Sequence, residues 1–191
     1  MSVFIAGMVV FFGLHLVSVL APDWRDKMAQ RFGVALWQSL YGVASVVGLY
    51  LLAVGYGEAR LVSSFLYSPP VWFSHIAGLL MVPVFILAAA AVLPGWISRK
   101  TRYPMLFAVK LWALSHLLVN GRWVEVVMFG AFLLWAGLVR MSLKRRPPRR
   151  IFALPENKLN DLFAVVIGLG IYGAFVMHLH QSLIGVAPFG S

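Results

Sequence analysis

Apolar residues gather into six long runs, at about 2–20, 34–57, 70–94, 105–121, 123–139 and 162–184. A helix that crosses a bilayer takes about 20 residues, so each run is read as one membrane span. The pattern predicts an all-α, polytopic transmembrane bundle of six spans in a single domain, 1–191, without internal repeats. The second and third runs hold no charged residue. Lys110 lies in the fourth and Glu125 in the fifth, each within about two turns of a span end, where long side chains can reach the interface. The first run lacks a basic leader and a small-x-small cleavage site, and is read as a retained span rather than a signal peptide.

Local residues refine these spans. Pro70 suits a helical first turn, where its missing N–H costs nothing. Pro83 lies mid-span and predicts a kink. Asn120-Gly121 ends the fourth helix so close to the fifth run that the two should form a tight hairpin. Asn160 or Asp161 can cap the sixth helix. Gly168, Gly170 and Gly173, with Ala174, give it a small surface for close approach. Ser142 to Lys158 is the longest connection, and its Arg-Arg-Pro-Pro-Arg-Arg run is read as an extended basic segment on anionic headgroups.

Composition agrees with the pattern. The chain is 61% hydrophobic and only 12% charged, with mean hydropathy +0.87. Soluble domains carry roughly 45–50% apolar and about 25% charged residues, so a water-soluble globular domain is excluded. Disorder is excluded as well, because it needs low hydrophobicity and few aromatics. The absence of cysteine removes disulfides, thiolate metal sites and cysteine nucleophiles.

The net charge of +10 raises nucleic acid as a partner, but the distribution of charge explains it otherwise. Arg25, Lys27 and Arg31 lie in loop one, and Arg99, Lys100 and Arg102 in loop three. Arg140, Lys144, Arg145, Arg146, Arg149, Arg150 and Lys158 follow the fifth span. These are thirteen of the sixteen basic residues; loops two and four hold only Arg60 and Arg122. By the positive-inside rule, loops one, three and five are cytoplasmic and both termini periplasmic, in a bacterial inner membrane. Trp24 and Trp96 then mark the cytoplasmic boundary, and Trp72 and Trp123 the outer one. The partners implied are membrane lipids, with no nucleic acid.

Polar groups inside a bilayer are costly, so they mark candidate chemistry. All five histidines, His15, His75, His116, His178 and His180, fall within spans. They suit a proton relay, metal binding or axial ligation of haem. Asp23, Asp26, Glu58, Glu125, Glu156 and Asp161 are the only acids, and none lies at a span centre, which argues against a carboxylate-based proton pump or metal transporter. His178 and His180, two apart on a helix, point to different faces. No phosphate loop, buried serine triad or dinucleotide fingerprint is present. Haem asks only for one or two neutral histidines, an apolar aromatic slot and a cation for its propionates. Depth estimated from the helical rise groups His75, His116 and His180 in the outer half, with His15 deeper, and does not choose a ligand pair. Arg122, at the outer end of the helix carrying His116, is the candidate for a propionate.

Several segments resemble the NnrU family. They are Phe11-Phe12-Gly13-Leu14-His15, Arg102-Tyr103-Pro104-Met105-Leu106, the stretch from Val109 to Gly121 with Trp112 and His116, the passage from helix five into loop five, and the ending from His180 to Pro188 with Leu183-Ile184-Gly185-Val186. That family is named for bacterial proteins associated with expression of nitrite and nitric oxide reductases in denitrification. It is similar to the 15-cis-zeta-carotene isomerases, membrane proteins whose haem b iron is held by histidines. The resemblance implies haem b held by His15 and His116 as metal ligands; depth and position along the spans keep His75, His180 and Arg122 as further cofactor-binding candidates. It also implies the machinery of respiratory nitrogen-oxide reductases as a partner. A rival implication is a haem-dependent cis–trans isomerase acting on a carotenoid-like polyene or another lipid, and a third is a cofactor-free scaffold. Ala113 stands where the isomerases place a cysteine ligand, so a histidine-to-cysteine exchange is impossible here. Tyr103 stands where the family usually has histidine. The Arg-x-Pro segment is also similar to membrane methyltransferases of the isoprenylcysteine type, but their paired glutamates have no counterpart after Asp161.

Overall fold

The computed structural model describes residues 1–146 and 153–189, and among these the regular structure is helical. The helices are α1 (Ser2–Leu20), α2 (Pro22–Phe32), α3 (Val34–Val62), α4 (Phe73–Val92), α5 (Trp96–Thr101), α6 (Pro104–Val119), α7 (Trp123–Arg145), α8 (Asn160–Ala174) and α9 (His180–Ile184). A π-helical turn, Phe175–Leu179, joins the last two. Five helical rods are long and apolar enough to cross a membrane: α1, α3, α4, α7 and the continuous Asn160–Ile184. The expected fourth span is the exception. α6 has 16 residues, so it rises about 24 Å against a hydrocarbon core of about 30 Å. Pro104 starts it and Asn120, with extended backbone, stops it.

The chain divides into two compact units. The first comprises Met1–Leu66 with Arg122–Met128, and the second comprises Tyr67–Gly121 with the chain from Phe129 onward.

In the first unit α1 lies antiparallel on α3, and glycines let the two backbones touch. A Cβ on Gly7 would sit 2.5 Å from the Leu52 nitrogen, and one on Gly48 3.0 Å from the Phe11 nitrogen. One on Gly55 would overlap the Phe4 nitrogen. Phe4, Leu52 and Ala59 are buried along this seam. The expected loop one is a helix, α2. Pro22 opens it, Asp23 occupies its first turn and Arg31 its last, which suits the helix dipole. Gly33, at φ +88°, closes it in a conformation that favours glycine. Ala29 is buried, while Trp24 stays half exposed and meets the Trp37 ring edge-on at 6.1 Å.

In the second unit α4 packs between α6 and α8. Val84, Leu87 and Ala108 form its buried centre, with Met81, Leu111 and Trp112 against them. Of the small residues expected on the sixth helix, only Gly168 makes the close approach: its Cβ would fall 2.7 Å from the Ile86 backbone, whereas Gly170 and Gly173 face open space. α6 also packs on the Phe129–Arg145 part of α7. Trp112 meets the edges of Phe129 and Phe132, both at 5.1 Å, and the Arg140 guanidinium covers the Phe107 ring at 4.5 Å.

Three further expectations are corrected. Pro70 precedes its helix instead of opening it, and its carbonyl accepts the Phe73 N–H. Neither Asn160 nor Asp161 caps the sixth helix, because both are already inside it. Asp161 caps α5 instead, accepting the N–H groups of Trp96 (2.7 Å) and Ile97 (2.9 Å), while Asn160 donates to the carbonyls of Pro94 and Pro155. These bonds tie the ends of α4 and α8 together. Glu125 does not reach for the interface but is buried. Most of the predicted extended Arg-Arg-Pro-Pro-Arg-Arg segment, from Pro147 on, lies outside the described residues.

Candidate functional site

The second unit brings His116 and His180 together. His116 sits in the last turn of α6, where the side chain four residues on shares its helix face. That residue is Asn120, whose Nδ2 donates to His116 Nδ1 (3.1 Å) and to the His116 carbonyl (3.0 Å). The Asn120 amide offers both a donor and an acceptor, so it can hold either tautomer of the ring. Phe129 stacks on His116 at 4.5 Å and 5°, and Trp112 meets it edge-on at 5.3 Å. Tyr67 clamps this helix end: its hydroxyl donates to the carbonyls of Leu117 and Asn120, and its N–H to that of Gly121. A Cβ on Gly121 would run into the Tyr67 carbonyl, so the hairpin needs glycine there.

The His180 ring lies 6.4 Å from that of His116, at 14°. It follows the π-helical turn and is held by the chain beyond it. Gly185, in the left-handed region at φ +79°, reverses the chain so that the Val186 carbonyl accepts His180 Nδ1–H at 2.6 Å. Phe189 then lies on α4, stacked 5.9 Å from the exposed His75 ring and against Gly78. His75 therefore joins the same region through Phe189. His178 is exposed within the π turn.

His15 and Arg122 belong to the first unit. His15 Nδ1–H donates to the Phe11 carbonyl at 2.7 Å, so the neutral ring keeps its lone pair on Nε2. The ring stacks on Phe11 at 4.2 Å and meets Tyr41 at 5.2 Å. Arg122 Nη1 donates to the Ser63 carbonyl at 2.7 Å, and its guanidinium covers Phe65 at 4.1 Å. Its own N–H donates to Glu125 (2.8 Å), which also receives Arg60 (3.1 Å) and the Tyr56 hydroxyl (3.3 Å). Sequence reading missed this acid cluster, although Arg122-x-x-Glu125 ahead of an apolar run has the spacing of a capping box.

Among the described residues no three or more of His, Cys, Asp and Glu come close enough to hold a bare metal ion. The undescribed residues contain none of these types.

Residues 3–188 match the family model described as NnrU protein. The chain belongs to the NnrU family. No curated protein and no solved structure matches it. For this NnrU protein the family match covers both units and all five histidines. At the far end of the second unit a separate polar pocket of about 320 Å³ is lined by Trp96, Arg99, Glu156, Asn157, Lys158 and Asp161 among others; Arg99 and Glu156 form an ion pair there.

Proposed function

We propose that this NnrU protein is a multi-pass membrane protein that binds haem b through His116. Its role on this reading is haem-linked support of nitrite and nitric oxide reductase expression or maturation. The observation that carries the proposal is the setting of His116, oriented by Asn120 in an aromatic surround. A ligating histidine normally donates its second ring N–H to an acceptor, and Asn120 supplies one when its amide oxygen is turned to Nδ1. The donor set fits the group. Two neighbouring imidazoles without a third protein ligand cannot satisfy a bare transition metal, which takes about four ligands, but they suffice where a macrocycle supplies the other four. Bound haem would supply redox chemistry at its iron; the chain's part is to orient the imidazole and exclude water with Trp112 and Phe129.

The test is a Soret band in the protein purified from haem-replete cells. The band is expected in the wild type and should be lost or greatly reduced in His116→Ala. A wild-type protein of normal fold without a Soret band after haem reconstitution would refute the reading.

The membrane is proposed to be the bacterial inner membrane, with lipids as partners and, with the short α6 crossing as a sixth span, both termini periplasmic. The basic residues support this: those of α2 and α5, with the cluster after α7, all fall on one side in that arrangement. A C-terminal alkaline phosphatase fusion should be active, while the same fusion after Arg102 should be inactive. The reverse result would invert the topology.

A further inference from the structure

We propose that His180 is the second axial ligand beside His116, in place of the His15 that the family resemblance names. This rests on the haem reading above and specifies its site.

Two imidazoles that share one metal, each with a nitrogen about 2 Å from it, have ring centroids about 6 Å apart. The His116 and His180 rings are 6.4 Å apart at 14°. That is at the long end of ring packing and close to the spacing a shared iron requires. The Val186 carbonyl takes the Nδ1–H of His180, which leaves the lone pair on Nε2 as its coordinating atom. Asn120 holds His116 Nδ1, and Nε2 of His116 is free to coordinate when the Asn120 amide presents its oxygen to Nδ1–H.

The backbone around His180 deviates from a plain helix in two ways, and both bear on this ring. The π-helical turn Phe175–Leu179 adds one residue to the helix just before His180. It turns everything after it by about 100° relative to an uninterrupted α-helix, and such turns recur at functional sites. Left-handed Gly185 then folds the tail back, so that Val186 meets Nδ1 and Phe189 anchors on α4. A helix whose only task was to span a bilayer would need neither device. Together they fix the tautomer and direction of one imidazole, which is what a metal ligand needs and a packing residue does not. His116 and His180 also share one compact unit.

The experiment compares ferric spectra and electron paramagnetic resonance of the haem-loaded protein. Wild type and His15→Ala should both be six-coordinate and low-spin. His180→Ala should keep its haem but turn high-spin, and added imidazole should restore the low-spin signal, a rescue that a merely structural role would not show. Should His180→Ala fail to fold, Gly185→Ala leaves both histidines in place but strains the turn that holds Nδ1; it should shift the low-spin g-values. The proposal is overturned if His15→Ala becomes high-spin while His180→Ala stays low-spin, or if Gly185→Ala leaves the g-values unchanged. In those outcomes the haem reading survives. A wild-type protein without a Soret band removes both.

Discussion

Gly55→Ala is expected to unfold the first unit, while Gly57→Ala, two residues along the same helix, leaves it intact. The added methyl at Gly55 would overlap the backbone nitrogen of Phe4 and lie 2.5 Å from its Cα and 2.7 Å from the Val3 carbonyl carbon. Side chains can rotate away from an intruding methyl, but a helix backbone cannot. α1 must move off α3 along the seam that buries Phe4, Leu52 and Ala59. Within lipid this loss is severe, because close van der Waals contact between small residues holds membrane helices together. Overpacking costs about 1–3 kcal/mol and occasionally more; with backbone as the obstacle, about 3 kcal/mol or above is expected. A methyl at Gly57 meets nothing within 4 Å, so Gly57→Ala should be neutral or stabilising by up to about 1 kcal/mol. Denaturation of the two purified variants, followed by helix content, reads the difference. Equal midpoints would show that the glycine seam does not hold the helices.

This seam illustrates what the chain discloses before its structure is known. Hydropathy found every apolar helix, because transfer into lipid depends on each run alone. The fourth run is also helical, but between Pro104 and Asn120 its helix falls short of a span by length. Sequence reading chose the wrong small residues. Gly168, Gly170 and Gly173 looked alike in sequence, yet only Gly168 faces a neighbour, and Gly7, Gly48 and Gly55 drew no notice. Which glycine is pressed depends on the partner helix, and a single chain does not state its pairings. α2 was legible through Pro22, Asp23, Arg31 and Gly33, but its polarity made it look like a loop.

The candidate site divides in the same way. Each histidine was visible, since a polar ring in an apolar run is conspicuous. The grouping of His116 with His180 was partly visible in estimated depth, because the rise per residue is fixed. Their mutual approach was not, since it needs a π-helical turn and a left-handed glycine that lie far along the chain from His116. Asn120 could have been found from its i+4 spacing to His116.

Glu125 carries the second large effect. Its carboxylate is almost wholly buried and accepts from Arg60, Tyr56 and the N–H of Arg122, so it joins the end of α3 to the start of α7. Glu125→Ala should cost about 3 kcal/mol. That is the low end of the range for breaking a buried ion pair, and it is chosen because Arg60 keeps 33% of its side chain exposed and recovers some solvation. Glu125→Gln keeps one acceptor oxygen, for the Arg122 N–H, and turns an amide NH2 toward the Tyr56 oxygen and Arg60, so it should cost about 2 kcal/mol, one charge-assisted hydrogen bond's worth. Most of the alanine penalty comes from the partners left behind. Replacing Arg60 and Glu125 together with methionine should therefore restore much of the stability that Glu125→Ala loses, as apolar replacement of buried ion pairs often does. The order expected in a denaturation series is wild type, Glu125→Gln, the double methionine variant, then Glu125→Ala. A double variant as unstable as Glu125→Ala would mean that the carboxylate acts by capping α7 alone, and that its pairing with Arg60 contributes nothing.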